Sequence, residues 1–266
     1  MRLGNRGHRG RADPRGIFVG ESSIAAVRAA CDFFPDTTFP TDPDGNTAHW
    51  VYDALRAVRP AISTGYENVV LARWLSGIQK DDVQEKFVES VLEDWEAIKE
   101  ALMADWEVSK DDLVEAFGHA RDKWIEKDLD SWVNANRIFP GVADALNFAS
   151  APLYIITTKQ TRFCLLLLER YGIKNIQKEN VFGYGTGSKI SVLKKILASP
   201  EHKGKKLVFV EDRYDTLEDA SLSLLGTPLD LYLATWGYNT AETKRVAELH
   251  PYITPLDLPT FVSKLQ

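Results

Sequence analysis

Apolar residues follow two different rhythms along this chain. Between about 47 and 136 they recur every three to four positions, the spacing of one helix face: Val69, Leu71, Ala72 and Leu75, then Phe87, Val88, Val91, Leu92, Trp95, Ile98 and Leu102. No alternating pattern interrupts them, so this stretch predicts four or five amphipathic helices. Asp81 or Asp82, and Ser109, have the chemistry of N-caps, and Glu85 and Asp112 sit where a helix start favours a carboxylate. Residues 37–46, with Pro40, Pro43 and Gly45, are turn chemistry. Ahead of them, 17–33 reads as a short extended piece and then a helix beginning near Glu21-Ser22-Ser23, where either serine can cap.

Pro140-Gly141 marks a boundary, and beyond it the rhythm changes. Strand-like runs at 153–157, 181–182, 206–210 and 229–235 alternate with helix-like runs at 160–171, 189–198, 213–225 and 240–249, and Gly172 stands where a helix would end. Such alternation predicts an α/β fold, a parallel sheet with helices on both faces. Sheets of this kind place ligands off the carboxyl ends of their strands. The segments to inspect are therefore Thr157-Thr158-Lys159, Gly183 to Lys189, Glu211-Asp212 and Thr235-Trp236.

The charge sharpens the division. The 266 residues carry a net charge of −6, yet residues 31–137 hold 23 acidic and 11 basic side chains, leaving 21 basic and 15 acidic elsewhere. An acidic half argues against a nucleic-acid partner, which requires a basic face. Six of the seven tryptophans (Trp50, Trp74, Trp95, Trp106, Trp124 and Trp132) also fall in the helical part. They fill a helical core and its docking surface, or one or two line a substrate pocket.

Composition excludes several classes. An apolar content of 44% and a charged content of 26% are those of an ordinary globular protein. No apolar run reaches the length needed to span a membrane. Cys31 and Cys164 are isolated, and the five histidines show no metal-ligand spacing, so neither a disulfide framework nor a zinc site is expected. Residues 1–16 are rich in arginine and glycine and lack the apolar core of a secretory signal. They read as a disordered basic tail, an organelle transit piece or a misplaced chain start; a cytoplasmic location is expected, with an organelle such as the chloroplast as the alternative.

Candidate chemistry gathers at the strand ends. Glu211 and Asp212 are adjacent carboxylates that repel each other unless a cation lies between them. Magnesium suits such a pair, because it takes few carboxylates, several waters and a phosphate oxygen. Asp212 is equally able to cap the helix that follows. Thr157 can donate to a phosphoryl oxygen or cap the helix at 160–171. Lys189 follows Gly183-Tyr184-Gly185-Thr186-Gly187-Ser188 and can offset phosphate charge. The P-loop pattern is not met there, since Ser188 precedes Lys189 and Ile190 follows it. Lys194 and Lys195 lie further along the helix, on a face expected to be solvated.

A strand ending in Thr157, a loop leading to Lys189 and a strand ending in Glu211-Asp212 resemble, in that order, motifs II, III and IV of the haloacid dehalogenase superfamily. The resemblance covers about 138–266. Gly65-Tyr66-Glu67-Asn68 and Trp236-Gly237-Tyr238-Asn239-Thr240 look like a plant- and alga-type branch of it. The resemblance implies a Rossmann-like core formed by 1–30 and 138–266, with 31–137 inserted as an all-α cap of the C1 type. It implies a hydrolase, phosphatase-type, acting on a small phosphate ester with Mg²⁺ through an aspartyl-phosphate. Carried over by position, Thr157 would hold the transferring phosphoryl group, with Thr158 and Lys159 at the substrate. Lys189 would balance its charge, and Asp212 with Glu211 would hold the metal, Asp215 being an alternative.

The departure is at the family's D-x-D-G. The best match is Asp13-Pro14-Arg15-Gly16, where Asp13 stands as nucleophile and metal ligand. Arg15 occupies the position of the general acid and stays protonated at any working pH. Residues 6–12 also lack the apolar character of a buried strand. The chain start is misplaced, or the protein binds a phosphorylated ligand without turnover, or Asp13 works with a different acid.

Overall fold

The computed structural model describes residues 19–265, so Asp13, Arg15 and the extended piece expected from residue 17 lie outside the described residues. Helix α1 spans Val19–Phe33, α2 His49–Ala57, α3 Glu67–Ser76, α4 Ser90–Asp105 and α5 Lys110–Ala135. These form the helical layer, whose core holds Ala26 and Ala30 of α1, Leu55, Leu71, Phe87, Trp95, Leu113 and Phe117. The predicted helices are there and no strand interrupts them; the stretch holds only one isolated bridge, Thr41 to Thr47.

Ser109 caps α5 as its sequence suggests, accepting from the Asp112 N–H while the Asp112 carboxylate takes the Ser109 N–H at 3.1 Å. Asp81 and Asp82 do not cap: they sit in a single tight turn, and a π-type turn over Gln84–Glu89 leads into α4. Ser22 and Ser23 are not caps either, because α1 starts at Val19 and carries both serines inside it. Breaks within α4 at Asp94 and within α5 at Asp128 are each restarted locally, the aspartate accepting the backbone N–H three residues on.

After α6 (Val142–Phe148) the chain alternates as expected: β1 (Ile155–Ile156), α7 (Thr161–Arg170), β2 (Val181–Phe182), α8 (Lys189–Ala198), β3 (Leu207–Glu211), α9 (Tyr214–Ser223), β4 (Leu229–Ala234), α10 (Ala241–Leu249), β5 (Ile253–Leu256) and α11 (Leu258–Leu265). All pairings are parallel: β1 with β2, and β3-β4-β5 in that order. The protein is thus mixed α/β. The sequence pattern missed α6, which runs for only two turns. It missed β5 because Pro255 interrupts the strand pattern; among the described residues β5 pairs on one side only, where a proline is tolerated.

The two sheets lie alongside each other. Ile156 of β1 packs on the core of β3 and β4. The Tyr154 hydroxyl, just before β1, sits 2.8 Å from His202 Nε2, just before β3. With their starts together, the carboxyl ends of both sheets open the same way. The second half of α5 joins the layers, Trp124 and Trp132 packing with Phe163 and Leu167 of α7.

Candidate functional site at the carboxyl ends of the strands

The loop after β2 brings Lys189 to the end of β3. Ser188 caps α8 by accepting from the Ser191 N–H at 3.1 Å, which fixes Lys189 as the first helical residue. Its ammonium forms an ion pair with Glu211. Gly183 is required upstream: a Cβ there would lie 2.7 Å from the Lys159 carbonyl, so the loops after β1 and β2 touch. The Tyr184 N–H donates to the same carbonyl at 3.0 Å.

Glu211 and Asp212 share the end of β3 and differ in surroundings. Glu211 is buried and takes the Arg213 N–H at 3.1 Å in addition to Lys189. Burial pushes its carboxyl above the usual range; Lys189 opposes this, and the neighbouring Asp212 charge adds to it. Asp212 does not cap α9. Its Oδ2 accepts the Tyr238 N–H at 2.9 Å, in the loop after β4. That approach depends on Gly237, where a Cβ would stand 2.1 Å from the Asp212 Cβ.

Thr157 does not cap α7 either, since Gln160 holds that position. Its Oγ1 instead accepts the Lys159 N–H at 3.1 Å and shapes the turn after β1. Thr158 is exposed. Asp215 is 77% exposed and pairs with Arg213 at 3.0 Å. Lys194 and Lys195 are exposed, as their place on α8 predicts. Among the described residues no group of three or more His, Cys, Asp or Glu side chains is arranged to hold a metal ion.

Beneath the Thr157 turn lies a charge cluster that the sequence did not reveal. Glu21 of α1 has no exposed surface. Its carboxylate takes Arg121 Nε at 2.6 Å, Arg121 Nη2 at 3.0 Å, Lys159 Nζ at 3.0 Å and the Trp132 indole N–H at 3.2 Å. Lys159 Nζ also reaches Asn136 Oδ1 at 3.3 Å. Burial alone would raise the Glu21 carboxyl, but the Arg121 and Lys159 charges bring it down to about 2. Lys159 is pushed down to about 8, by burial first and by Arg121 beside it, against the pull of Glu21. The two shifts have different origins: Glu21 is drawn down by two neighbouring cations, and Lys159 by its burial.

The acid sensitivity of the fold follows. The folded pKa of Glu21 lies below its ordinary 4.5, so its ionised form contributes stability that is complete above that value. The contribution is lost as pH falls toward about 2. Thermal melts are expected to show a falling melting temperature across this window, with a shallower slope in Glu21→Gln. Equal slopes in the two proteins would contradict the assignment.

The helical layer meets the strand ends through Arg213. Its Nη1 donates to the carbonyls of Pro60 at 2.8 Å and Ile62 at 2.7 Å, and Nη2 reaches Ser63 Oγ at 3.3 Å. The gripped segment is held from behind by Glu67, a buried carboxylate that takes the Thr64 N–H at 2.6 Å, the Thr64 hydroxyl at 2.6 Å and the Trp95 indole N–H at 2.7 Å. Trp95 and Trp132 are thus core side chains whose single donor satisfies a buried acid. Neither partnership carries a local sequence signal; the one visible hint was the concentration of tryptophan in the helical part. Comparison with protein-family models, with curated proteins and with solved structures finds no match.

Proposed function

We propose that this chain is a haloacid dehalogenase-like hydrolase, a Mg²⁺-dependent phosphatase of a small phosphate ester, with a Rossmann-like core and residues 31–137 as its helical cap. One observation carries the reading: Lys189, from the loop after β2, is paired with Glu211 at the end of β3, beside Asp212. Residues 22 or more positions apart, singled out for one phosphoryl-transfer site, meet there.

The donor set suits magnesium. Burial, and after it the Asp212 charge, raises the proton affinity of Glu211 against the pull of Lys189, and Mg²⁺ takes few protein oxygens. Asp212 with Glu211 would hold the ion, which when bound polarises a phosphoryl oxygen. Lys189 offsets charge on the transferring group, and its pairing with Glu211 keeps the ammonium in place between turnovers. Thr157 presents its hydroxyl at the end of β1. In this reading Asp13 is the nucleophile. The closure of the cap over the core excludes water, and the Arg213 grip on the 60–63 segment is the contact between them nearest to Asp212.

The protein's partners are then small molecules. The acidic helical part offers no face for a nucleic acid, and no helix among the described residues is long and apolar enough to cross a membrane. The test is phosphate release from a panel of small phosphate esters with Mg²⁺ and again after EDTA. Hydrolysis of at least one ester that stops with EDTA is expected. No release, with Mg²⁺ and phosphate still raising the melting temperature, would replace this reading with that of a binding protein on the same fold.

A further inference from the structure

Arg59 is a cation with no use in the site described above. It opens a short turn, Arg59–Ala61, whose Pro60 and Ile62 carbonyls are gripped by Arg213. The backbone of Arg59 is therefore fixed against the residue that follows Asp212. Its guanidinium lies 4.5 Å from the centre of the Tyr238 ring, and the Tyr238 N–H is the one that donates to Asp212. Arg59 thus stands one side chain away from the carboxylate pair.

Three polar atoms at this place are buried and have no hydrogen-bond partner among the described residues: Arg59 Nε, Tyr238 Oη and Asn239 Oδ1. Arg59 also has no ion pair among them. Stacking on a ring satisfies the face of a guanidinium but not its N–H groups, and a buried donor left unmet is costly. Asn239 spends its amide on the Ala234 carbonyl at 2.8 Å, which leaves only its oxygen free to accept. Two unmet donors and one unmet acceptor thus gather beside Asp212, where the Arg59–Ala61 turn meets the loop after β4.

We infer that Arg59 and Tyr238 bind a second anionic group of the substrate, a carboxylate or a further phosphate, while Asn239 accepts from a neighbouring hydroxyl. The inference rests on the phosphatase reading for the identity of the first anion. Guanidinium is the group that matches carboxylate and phosphate oxygens with paired N–H bonds. The substrate class is then a phosphate ester with an anion at its far end, not a simple alkyl or sugar monophosphate.

The experiment uses the full chain in Mg²⁺ buffer and three non-hydrolysable probes that share a three-carbon chain: propylphosphonate, 3-phosphonopropionate and propane-1,3-bisphosphonate. Titration calorimetry is expected to give at least about tenfold tighter binding for one of the two probes with a second anion, and which one identifies the anion. In Arg59→Gln the advantage disappears. In Tyr238→Phe, which keeps the ring under the guanidinium, it shrinks. Equal or absent binding of all three by the wild-type chain overturns the inference, as does an advantage that survives Arg59→Gln. Should Arg59→Gln fail to fold, the wild-type and Tyr238→Phe comparison decides alone. A second-anion advantage without hydrolysis of any ester supports this site and sinks the phosphatase reading; hydrolysis without the advantage does the reverse.

Discussion

Glu21→Gln is expected to lower the unfolding free energy by about 3–5 kcal/mol, the cost of leaving the buried Arg121 guanidinium without the carboxylate it pairs with. Arg121 loses a two-toothed partner, and Lys159 loses one of its partners. Arg121 and Lys159 have side chains only 6% and 10% exposed, so solvent cannot replace the carboxylate. The amide keeps the shape and one acceptor for the Trp132 indole but supplies no charge. The cluster ties α1 to α5 and to the turn after β1, so the loss also loosens the seating of Thr157. Urea denaturation measures it, as a lower midpoint at unchanged slope. A loss below about 1 kcal/mol, the size expected of an exposed ion pair, would contradict the burial argument.

Asp212→Asn is expected to cut Mg²⁺-dependent turnover by about a thousandfold or more while leaving the fold intact. In the proposed site Asp212 would hold the ion, and losing that ligand removes several kcal/mol of stabilisation from the charge of the transferring group. The fold survives because asparagine still offers an oxygen to the Tyr238 N–H, which the Asp212 carboxylate accepts from the loop after β4. The effect should fall on kcat more than on KM, because the ion acts most strongly where charge develops. A matching fall in melting temperature would mark Asp212 as a structural residue instead.

The order of the strand ends was legible because each leaves a local mark. A run such as Leu207-Val208-Phe209-Val210 followed by Glu211-Asp212 announces a strand and its end, and the helix-like run from Lys189 begins where α8 does. The Ser109 cap was legible for the same reason. What could not be read is contact across the chain. Glu21 and Arg121 stand 100 positions apart, and nothing near Glu21 marks it as more than a polar residue in a helix's first turn. Arg213 was visible beside Asp212, but its partners are carbonyl oxygens, which every residue has. Local marks also misled: Asp81, Asp82, Ser22 and Ser23 have capping chemistry, yet the helices start elsewhere, because tertiary packing of α1 and the turn before α4 set the boundaries. Pro255 concealed β5 by a rule that holds for central strands and not for an edge.

The central claim is that Lys189, Glu211 and Asp212 form one phosphoryl-transfer site. The most direct measurement is the Mg²⁺ dependence of phosphate release by the wild-type chain and by Asp212→Asn, side by side, on an ester with a second anion. The account predicts saturable activation by Mg²⁺ in the wild type and its loss in the variant at an unchanged melting temperature. Equal activity in the two proteins, or release in the wild type that ignores Mg²⁺ and EDTA alike, would contradict it.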